Sequence, residues 1–590
     1  MQTLIFCTMF AVQYKIVNYD IKYALDYHEA TKHSEISIQL SRHSLDWNNK
    51  PRPFKIYTKL PSIFLPSDFS EPHIDAITCI KTVKTINSMT ADATNTTNPQ
   101  LDIRKLAEIL FFSAGITREM KYMYGSYYMR AAPATGALYP IELYIVCQDI
   151  PGLNAGVYHF CPGDFTLTEL RSGDYKAELA TAAGDSKNIM TSPITIVFTS
   201  IAWRNAWKYE ARSYRHWFWD SGVIAANLTA TAASSHLQPF LILGFVDDTV
   251  NHLLYLDDKK EATIAMAAIG VDLAKHSAVS QQRKEINSLP LPEILPLSKK
   301  GEVDYPEIWK MHRASYLSDS EEVKHWINCG TELKKEESVQ SEILDSRPLY
   351  PAEPSSQSSL GHSLGEVILL RGSSRKFAKS PISFRQLSTI LESSTREVPL
   401  DFLVENQGKT AGTTATTIDI YMIVNEVEGL QRGGYFFNRS TSSIEQLKSK
   451  VPGDMSGYTG QKTRDMRGFR MISSYLCLGQ SLFGDASVVF FLMTNLLDTL
   501  KSCGNRGYRA SQFEAGIIAG KIYLSAYAQH LGASGSTFFD DAVTEYFSPH
   551  AQNKSTMIVV GVGVPGYKAH SGKVLAARLS RDQLLSEEYF

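Results

Sequence analysis

The segment Leu370-Arg371-Gly372-Ser373-Ser374-Arg375-Lys376-Phe377 packs two guanidiniums and two hydroxyls around one glycine, after the apolar run Val367-Ile-Leu-Leu370. Charge-assisted bonds from arginine, with backbone N–H groups beside a glycine, are the donors a phosphate takes. The same residues also suit a solvated basic turn, and a short motif does not by itself separate the two. A second candidate is Arg130-Ala-Ala-Pro133-Ala134-Thr135-Gly136-Ala137-Leu138-Tyr139-Pro140, small residues framed by two prolines just ahead of a strand. Gly136 and the alanines would let backbone N–H groups and a hydroxyl approach a planar ring. Alone, that segment reads equally as a tight loop.

Other chemistries find less support. His28, His33, His216 and His252 are scattered and no Cys-x-x-Cys occurs, so no metal site is expected. Asp247-Asp248 and Asp540-Asp541 look like paired carboxylates, but their recurrence at equivalent positions favours a structural cap. The aromatic residues Tyr209, Tyr214, Trp217, Phe218 and Trp219 could stack a ring substrate, and are read mostly as core. Lys and Arg number 59 against 61 for Asp and Glu, so a net charge of −2 gives no global field for nucleic acid or an anionic membrane. No apolar run of about 18 residues occurs to span a bilayer. The apolar opening segment has no Lys or Arg before it and no clear cleavage site, so a signal peptide is not expected. Seven dispersed cysteines read as buried thiols in a reducing cytoplasm.

The elements that must position these residues come in two copies. Chain length, 590 residues, exceeds one core, and 44% hydrophobic with 20% charged residues is a folded-protein balance. Pro140-Ile-Glu-Leu-Tyr-Ile-Val146 and Thr417-Ile-Asp-Ile-Tyr-Met-Ile423 share a buried-strand pattern, 417 − 140 = 277 positions apart. Tyr214-Arg215 and Trp219-Asp220-Ser-Gly222, leading into a predicted helix over 223–235, match Tyr508-Arg509 and Phe513-Glu514-Ala-Gly516 before one over 517–529. The offset is 508 − 214 = 294. Asp247 and Asp540 follow at 293, as do Ile269-Gly270-Val271 and Val562-Gly563-Val564. Amphipathic helices over 105–113 and 384–392 also correspond. These spacings predict an α+β (α/β) chain in four parts: an extension over 1–94, a first domain over 95–275, a connector over 276–361 and a second domain over 362–590. In the connector, the Leu/Pro alternation of 289–297 predicts an extended strap and the serines of 355–359 a mobile tether.

Together these residues resemble the FMN-dependent nitroreductase superfamily, and more narrowly its SagB/ThcOx-type azoline dehydrogenases, which aromatise thiazolines and oxazolines in ribosomal peptides. Tyr27-His-Glu-Ala-Thr-Lys-His33 and Leu45-Asp-Trp-Asn-Asn-Lys-Pro51 add to the resemblance. It implies tandem nitroreductase-like domains forming an intramolecular pseudo-dimer around FMN. Arg371, Ser373 and Arg375 would hold the phosphate, while Arg130, Pro133, Thr135 and Gly136 would face the flavin from the first domain. The stretch 532–537, with Ser534 and Gly535, would pass the flavin as a glycine-rich loop whose N–H groups stabilise a reduced, anionic edge. It reads equally as a helix C-cap. Lys573 would add a basic group to the phosphate. The second-half loop over 412–417 lacks the prolines, and no arginine-serine motif opens the first repeat, so one good site and one decayed site are expected.

The resemblance also places Lys208-Tyr209 at a Lys-Tyr pair used to take a proton from the azoline ring, with Tyr209 as alternative base or substrate orienter. The bland reading is a solvated lysine beside a half-buried tyrosine. The second half lacks the pair, because 208 + 294 = 502 is Ser502. The implied activity is dehydrogenation of a peptide or small-molecule substrate, with oxygen as re-oxidant and a cyclodehydratase as candidate partner. Two alternatives stand beside it: an NAD(P)H-dependent nitroreductase-type reductase, and a flavin-poor scaffold or peptide-binding partner in a modification complex. The chain is expected as a monomeric pseudo-dimer or a homodimer.

Overall fold

The computed structural model describes residues 18–81, 101–122, 125–270, 284–286, 290–332, 343–351, 362–396, 398–403, 416–449, 467–568 and 570–586. Runs rich in Val, Ile, Tyr and Phe between glycine- or proline-bearing turns form the strands. In chain order these are β1 (Ser62–Phe64), the hairpin β2 (Ile116–Tyr122) and β3 (Gly125–Arg130), β4 (Ile141–Cys147), β5 (Gly156–Cys161), β6 (Thr166–Ser172), β7 (Ile194–Ile201), β8 (Pro239–Ile242) and β9 (Glu261–Ile269). The second half supplies β10 (Asp345–Pro348), β11 (Asp419–Val424), β12 (Gly433–Asn438), β13 (Ser443–Lys448), β14 (Val488–Thr494), β15 (Gly532–Ser536) and β16 (Ser555–Gly563).

Two seven-stranded sheets result, ordered β1-β6-β5-β4-β7-β9-β8 and β10-β13-β12-β11-β14-β16-β15. Every strand of one has its twin at the same place in the other, and the central pairings β4–β7 and β11–β14 are both antiparallel. The expected tandem α+β architecture is therefore what the chain forms. The edge strands come from outside the repeats, β1 from the N-terminal extension and β10 from the connector.

Two long helices, Ser213–Ser234 and Leu496–Ala528, cross between the sheets. At the crossing a Cβ on Gly222 would lie 2.6 Å from the Phe513 carbonyl oxygen, and one on Gly516 would lie 2.8 Å from those of Phe218 and Trp219. Only glycine permits this backbone contact, and 222 + 294 = 516 puts the repeat register on the crossing itself. Both helices begin earlier than the sequence pattern suggests, so Tyr214-Arg215 and Trp219-Asp220 lie inside the first rather than ahead of it. The helix is buried nearly all round, which removes the polar face that periodicity detects.

The aspartates expected as caps bind the halves together instead. Asp247 accepts from Arg506 Nη1 at 2.6 Å and Arg509 Nη1 at 2.7 Å, while Asp540 accepts from Arg215 Nη1 at 2.7 Å and Arg212 Nη1 at 3.0 Å. The arrangement is reciprocal, since 212 + 294 = 506 and 215 + 294 = 509.

Residues 18–33 of the extension lie between the halves. Asn505 donates its backbone N–H to Asn18 O, and His33 N–H donates to Asp540 at 2.8 Å. Buried Lys55 pairs with Glu261 at 2.6 Å in the first sheet. Part of the expected strap is present, with Leu295 N–H donating to Ile56 O at 2.9 Å and Arg52 N–H to Leu297 O at 2.8 Å. The connector is otherwise more structured than its composition suggests, with helices Pro306–Ala314 and Ser320–Ile327; the predicted tether at 355–359 lies outside the described residues.

Two of the seven cysteines depart from the reading as free thiols. Cys329 and Cys503, 174 residues apart, form a disulfide between connector and long helix, a pairing that dispersed spacing conceals. Cys79, Cys147, Cys161 and Cys477 are buried thiols, and Cys7 is outside the described residues. No helix among the described residues is long and apolar enough to cross a membrane.

Candidate functional site

Helix Leu364–Leu370 starts at a capping box made by Ser363 and Glu366 and ends at Arg371. Arg371 is buried and reaches across the junction, donating from Nη2 to Arg130 O at 2.7 Å and from Nε to Ala131 O at 3.0 Å. The two leading sequence motifs, one from each half, therefore meet. Burial lowers the Arg371 pKa, and Tyr139, Tyr527 and Tyr523 oppose that. Ser374 N–H donates to Ala533 O at 2.8 Å, which lays the arginine loop beside β15. Tyr523 ties the two together, hydrogen-bonded to Ser373 and accepting from Gly535 N–H.

The expected glycine-rich loop over 532–537 is strand β15, with Ser534 opposite Gly561 and Gly535 opposite Val560. Its composition reads as loop because Gly and Ser are poor strand formers, yet pairing to β16 overrides that preference. Ser534 is buried and Gly535 exposed. Lys573 is exposed, and its backbone N–H donates to Thr117 O at 2.8 Å, next to Arg118. Arg118 itself donates to Leu369 O and Leu370 O, both at 3.1 Å, at the C-terminal end of the helix preceding Arg371. Among the described residues none of Arg118, Arg371, Arg375 and Lys573 pairs with a carboxylate.

On the other side of the junction, the Arg130 guanidinium turns away to Pro53 O at 2.6 Å and lies 4.7 Å from the Tyr139 ring centroid. Burial lowers its pKa to about 10, against the attraction of Glu142. Its carbonyl is thus the part that faces Arg371. Thr135 does not offer its hydroxyl outward: Oγ1 donates to Asp220 Oδ1 at 2.8 Å and its N–H to the same oxygen at 2.9 Å. Gly136 (φ 64°), Ala137 (φ 54°) and Tyr139 (φ 50°) all take left-handed backbone. Pro133, Ala132, Arg130, Tyr139 and Asp220 line a narrow cleft here.

Lys208 and Tyr209 end the helix Ala202–Tyr209, stopped by left-handed Glu210 (φ 49°). Lys208 Nζ stands 5.3 Å from the Tyr209 ring centroid. A Cβ on Gly136 would sit 2.7 Å from the Tyr209 hydroxyl, so the glycine makes room for it. Burial, then the Asp220 charge, raise the Tyr209 pKa, while Arg375 from the second half opposes them. Tyr209 is therefore a phenol at neutral pH. Asp220, pushed up to about 7 by burial against its Thr135 hydrogen bonds, had entered the sequence reading only as a mark of the repeat. Arg118 and Tyr523 carried no sequence signal at all.

The pseudo-equivalent junction is built differently. Position 209 + 294 = 503 is Cys503, bound in the disulfide. Asp401 accepts backbone N–H groups of Leu243 at 2.9 Å and Gly244 at 2.7 Å. The brace is retained, since Glu514, twin of Asp220, accepts from Thr417 N–H at 2.9 Å and from both Thr416 and Thr417 hydroxyls. Residues 412–415 of the second-half loop lie outside the described residues.

Residues 368–564 match the Nitroreductase family model. The chain is 27% identical over 170 residues to a protein of Methanocaldococcus jannaschii named as a nitroreductase, covering 29% of this chain and 81% of that protein. It is 30% identical over 173 residues to the trifolitoxin-processing protein TfxB of Rhizobium leguminosarum bv. trifolii, covering 28% and 46%. Against the microcin B17-processing protein McbC of Escherichia coli it is 25% identical over 146 residues, covering 24% and 54%. The matches thus span about half the length of these last two relatives. The crystal structure of an Anabaena variabilis protein described as a nitroreductase shares the fold, with a TM-score of 0.66, 24% identity, and coverage of 92% of this chain and 99% of that one. Residues 368–564 thus form a domain that matches the Nitroreductase family model, and a sheet of the same strand order stands ahead of it in the chain.

Proposed function

We propose that the chain holds one FMN where its halves meet and dehydrogenates thiazoline or oxazoline rings of a ribosomally made peptide to azoles. The observation that carries this reading is the meeting of Arg371, Arg375 and Arg118, none paired to a carboxylate among the described residues, with the 130–140 loop and Lys208-Tyr209 from the first half. Such a donor set fits a phosphate-bearing group. Arg371, Ser373 and Arg375 would hold the phosphate, with Lys573 and Arg118 adding positive charge. Pro133, Thr135 and Gly136 would face the ring system, and Ser534 and Gly535 would flank it from β15.

FMN, when bound, supplies a hydride acceptor for oxidation of the substrate ring. The proton that leaves with that hydride needs a base, and the Lys208 amine is the one offered at this junction. Tyr209, kept as a phenol by burial and Asp220, donates a hydrogen bond that orients the substrate. The names of TfxB and McbC, processing proteins of trifolitoxin and microcin B17, support a processing role on a peptide substrate. A cyclodehydratase, which makes azolines, is the matching partner, and the twinned sheets suit a monomeric pseudo-dimer.

The test is the visible spectrum of the purified protein with flavin counted per chain after denaturation, for wild type and Arg371→Ala. About one FMN per chain, lost in the variant, is expected; substrate peptide should then lose two hydrogens per ring. Protein that stays colourless after FMN is added would refute the reading and favour the scaffold alternative.

A further inference from the structure

Asp220 is a buried carboxylate without a cationic partner among the described residues. Three of its four hydrogen bonds come from a single residue: Thr135 donates its N–H to both oxygens, at 2.9 and 3.1 Å, and its hydroxyl at 2.8 Å. The fourth comes from Asn205 Nδ2 at 3.4 Å. Thr135 opens a stretch in which Gly136, Ala137 and Tyr139 are all left-handed, a conformation that L-residues adopt only when surrounding contacts impose it. Tyr139 is fixed separately, its hydroxyl accepting from Arg130 N–H at 3.1 Å and its carbonyl accepting from Arg204 at 3.0 Å. The near end of the stretch has Asp220 as its anchor.

We infer that Asp220 is the positioning residue of this junction: by holding Thr135 it sets Gly136 against the Tyr209 hydroxyl and fixes the loop that faces the proposed FMN. It acts through Thr135. The consequence for FMN rests on the proposed function; the consequence for the loop does not. Glu514 makes the same brace to Thr416 and Thr417 at the other junction, where Ser502 and the disulfide-bonded Cys503 replace the Lys-Tyr pair. The chain therefore carries its own control.

The experiment compares Asp220→Ala, Asp220→Asn, Thr135→Val and Glu514→Ala in the full chain, by hydrogen exchange of amides 131–139 without added FMN and by FMN titration. Asp220→Ala is expected to speed exchange in 131–139 and weaken FMN binding on the order of tenfold, the scale of losing an outer-shell support. Asp220→Asn, which keeps one acceptor oxygen, should restore most of both, while Thr135→Val, which keeps the backbone N–H and removes only the hydroxyl bond, should give a smaller loss of the same kind without touching the helix. Glu514→Ala should leave exchange at 131–139 and FMN affinity at wild-type values. Unchanged exchange at 131–139 in both Asp220→Ala and Thr135→Val, or equal FMN losses for Asp220→Ala and Glu514→Ala, would overturn the inference. Wild-type protein that takes up no FMN while its loop still answers to Asp220→Ala would sink the functional reading and leave the positioning role standing.

Discussion

Replacing Gly222 by Ala sets two opposing effects against each other. Ala in a helix is favoured over Gly by about 1 kcal/mol, so propensity alone predicts a gain. The new Cβ, however, would lie 2.6 Å from the Phe513 carbonyl oxygen and 2.7 Å from Gly516 Cα, where ordinary contact begins at 3.4 Å. Both obstacles are backbone of a buried helix, so no rotamer relieves them and the helices must part by about 3.4 − 2.6 = 0.8 Å. Overpacking of a dense core costs about 1–3 kcal/mol, and the upper end applies where only rigid-body movement helps. The clash should win by about 2 kcal/mol. Reach is a second consequence: if the halves separate by that amount, the Arg371 bonds to Arg130 O and Ala131 O lengthen from 2.7 and 3.0 Å to about 3.5 and 3.8 Å. Unfolding entropy of about 2.1 cal/mol/K per residue makes the expected Tm shift only about 2 °C for a chain of this length unfolding as one unit. Urea unfolding, which reads the free energy itself, is the better assay, paired with flavin counted per chain. A Gly222→Ala protein as stable as wild type that retains its flavin fully would refute the argument that the halves are locked at this crossing.

Asp540→Asn leaves two buried guanidiniums without their carboxylate and should cost about 3–5 kcal/mol in urea unfolding, with Asp247→Asn matching it. Burial alone would raise the Asp540 pKa, but Arg212 and Arg215 hold it well below the usual carboxylate range. Its contribution is therefore present above the unfolded value of about 4 and lost as pH falls toward the folded one, so wild type should lose stability in acid more steeply than Asp540→Asn. Gly136→Ala places a Cβ 2.7 Å from the Tyr209 hydroxyl on left-handed backbone; it should cost about 1 kcal/mol of strain and lower turnover, with KM and kcat read separately. Lys208→Ala should cut the proposed azoline oxidation by at least about a hundredfold while the proposed flavin content stays at the wild-type count, and Tyr209→Phe should cut it less. A larger loss in Tyr209→Phe than in Lys208→Ala would reassign the proton to Tyr209.

Much of the architecture was legible because the repeat keeps register where backbone meets backbone. The 294 offset read from Tyr214 and Tyr508 also maps Gly222 onto Gly516 and Arg212 onto Arg506, contacts that no single window could reveal. What periodicity could not show was the start of a helix buried on all sides, since amphipathic patterns need a wet face. Composition misled at 532–537, where small residues signal a loop but cross-strand pairing decides the outcome. The Cys329–Cys503 bond and the Asp220 brace were hidden for another reason: both depend on which distant segments meet, and sequence spacing carries no such information.

The two halves sort their own residues by role. Two devices between the halves are kept in both copies, the glycine crossing and the aspartate that takes two arginines of the other half, while the acid that braces a threonine recurs inside each half. The load between two packed halves is symmetric, because each contact at a pseudo-twofold junction has a partner contact that must bear the same separation. Loss of one copy would therefore weaken the whole interface. Arg371, Arg375, Lys208 and Tyr209 have no such partner, as the proposed reaction at one junction would place no demand on the other. In a dimer of identical chains a substitution at either position would strike both sites at once. In one fused chain the twin of Tyr209 is free to become Cys503 and to tie down the connector. Contacts twinned across the junction thus report what holds the halves together, and the untwinned residues mark the junction proposed for FMN, a separation that needs no relative of this chain to draw.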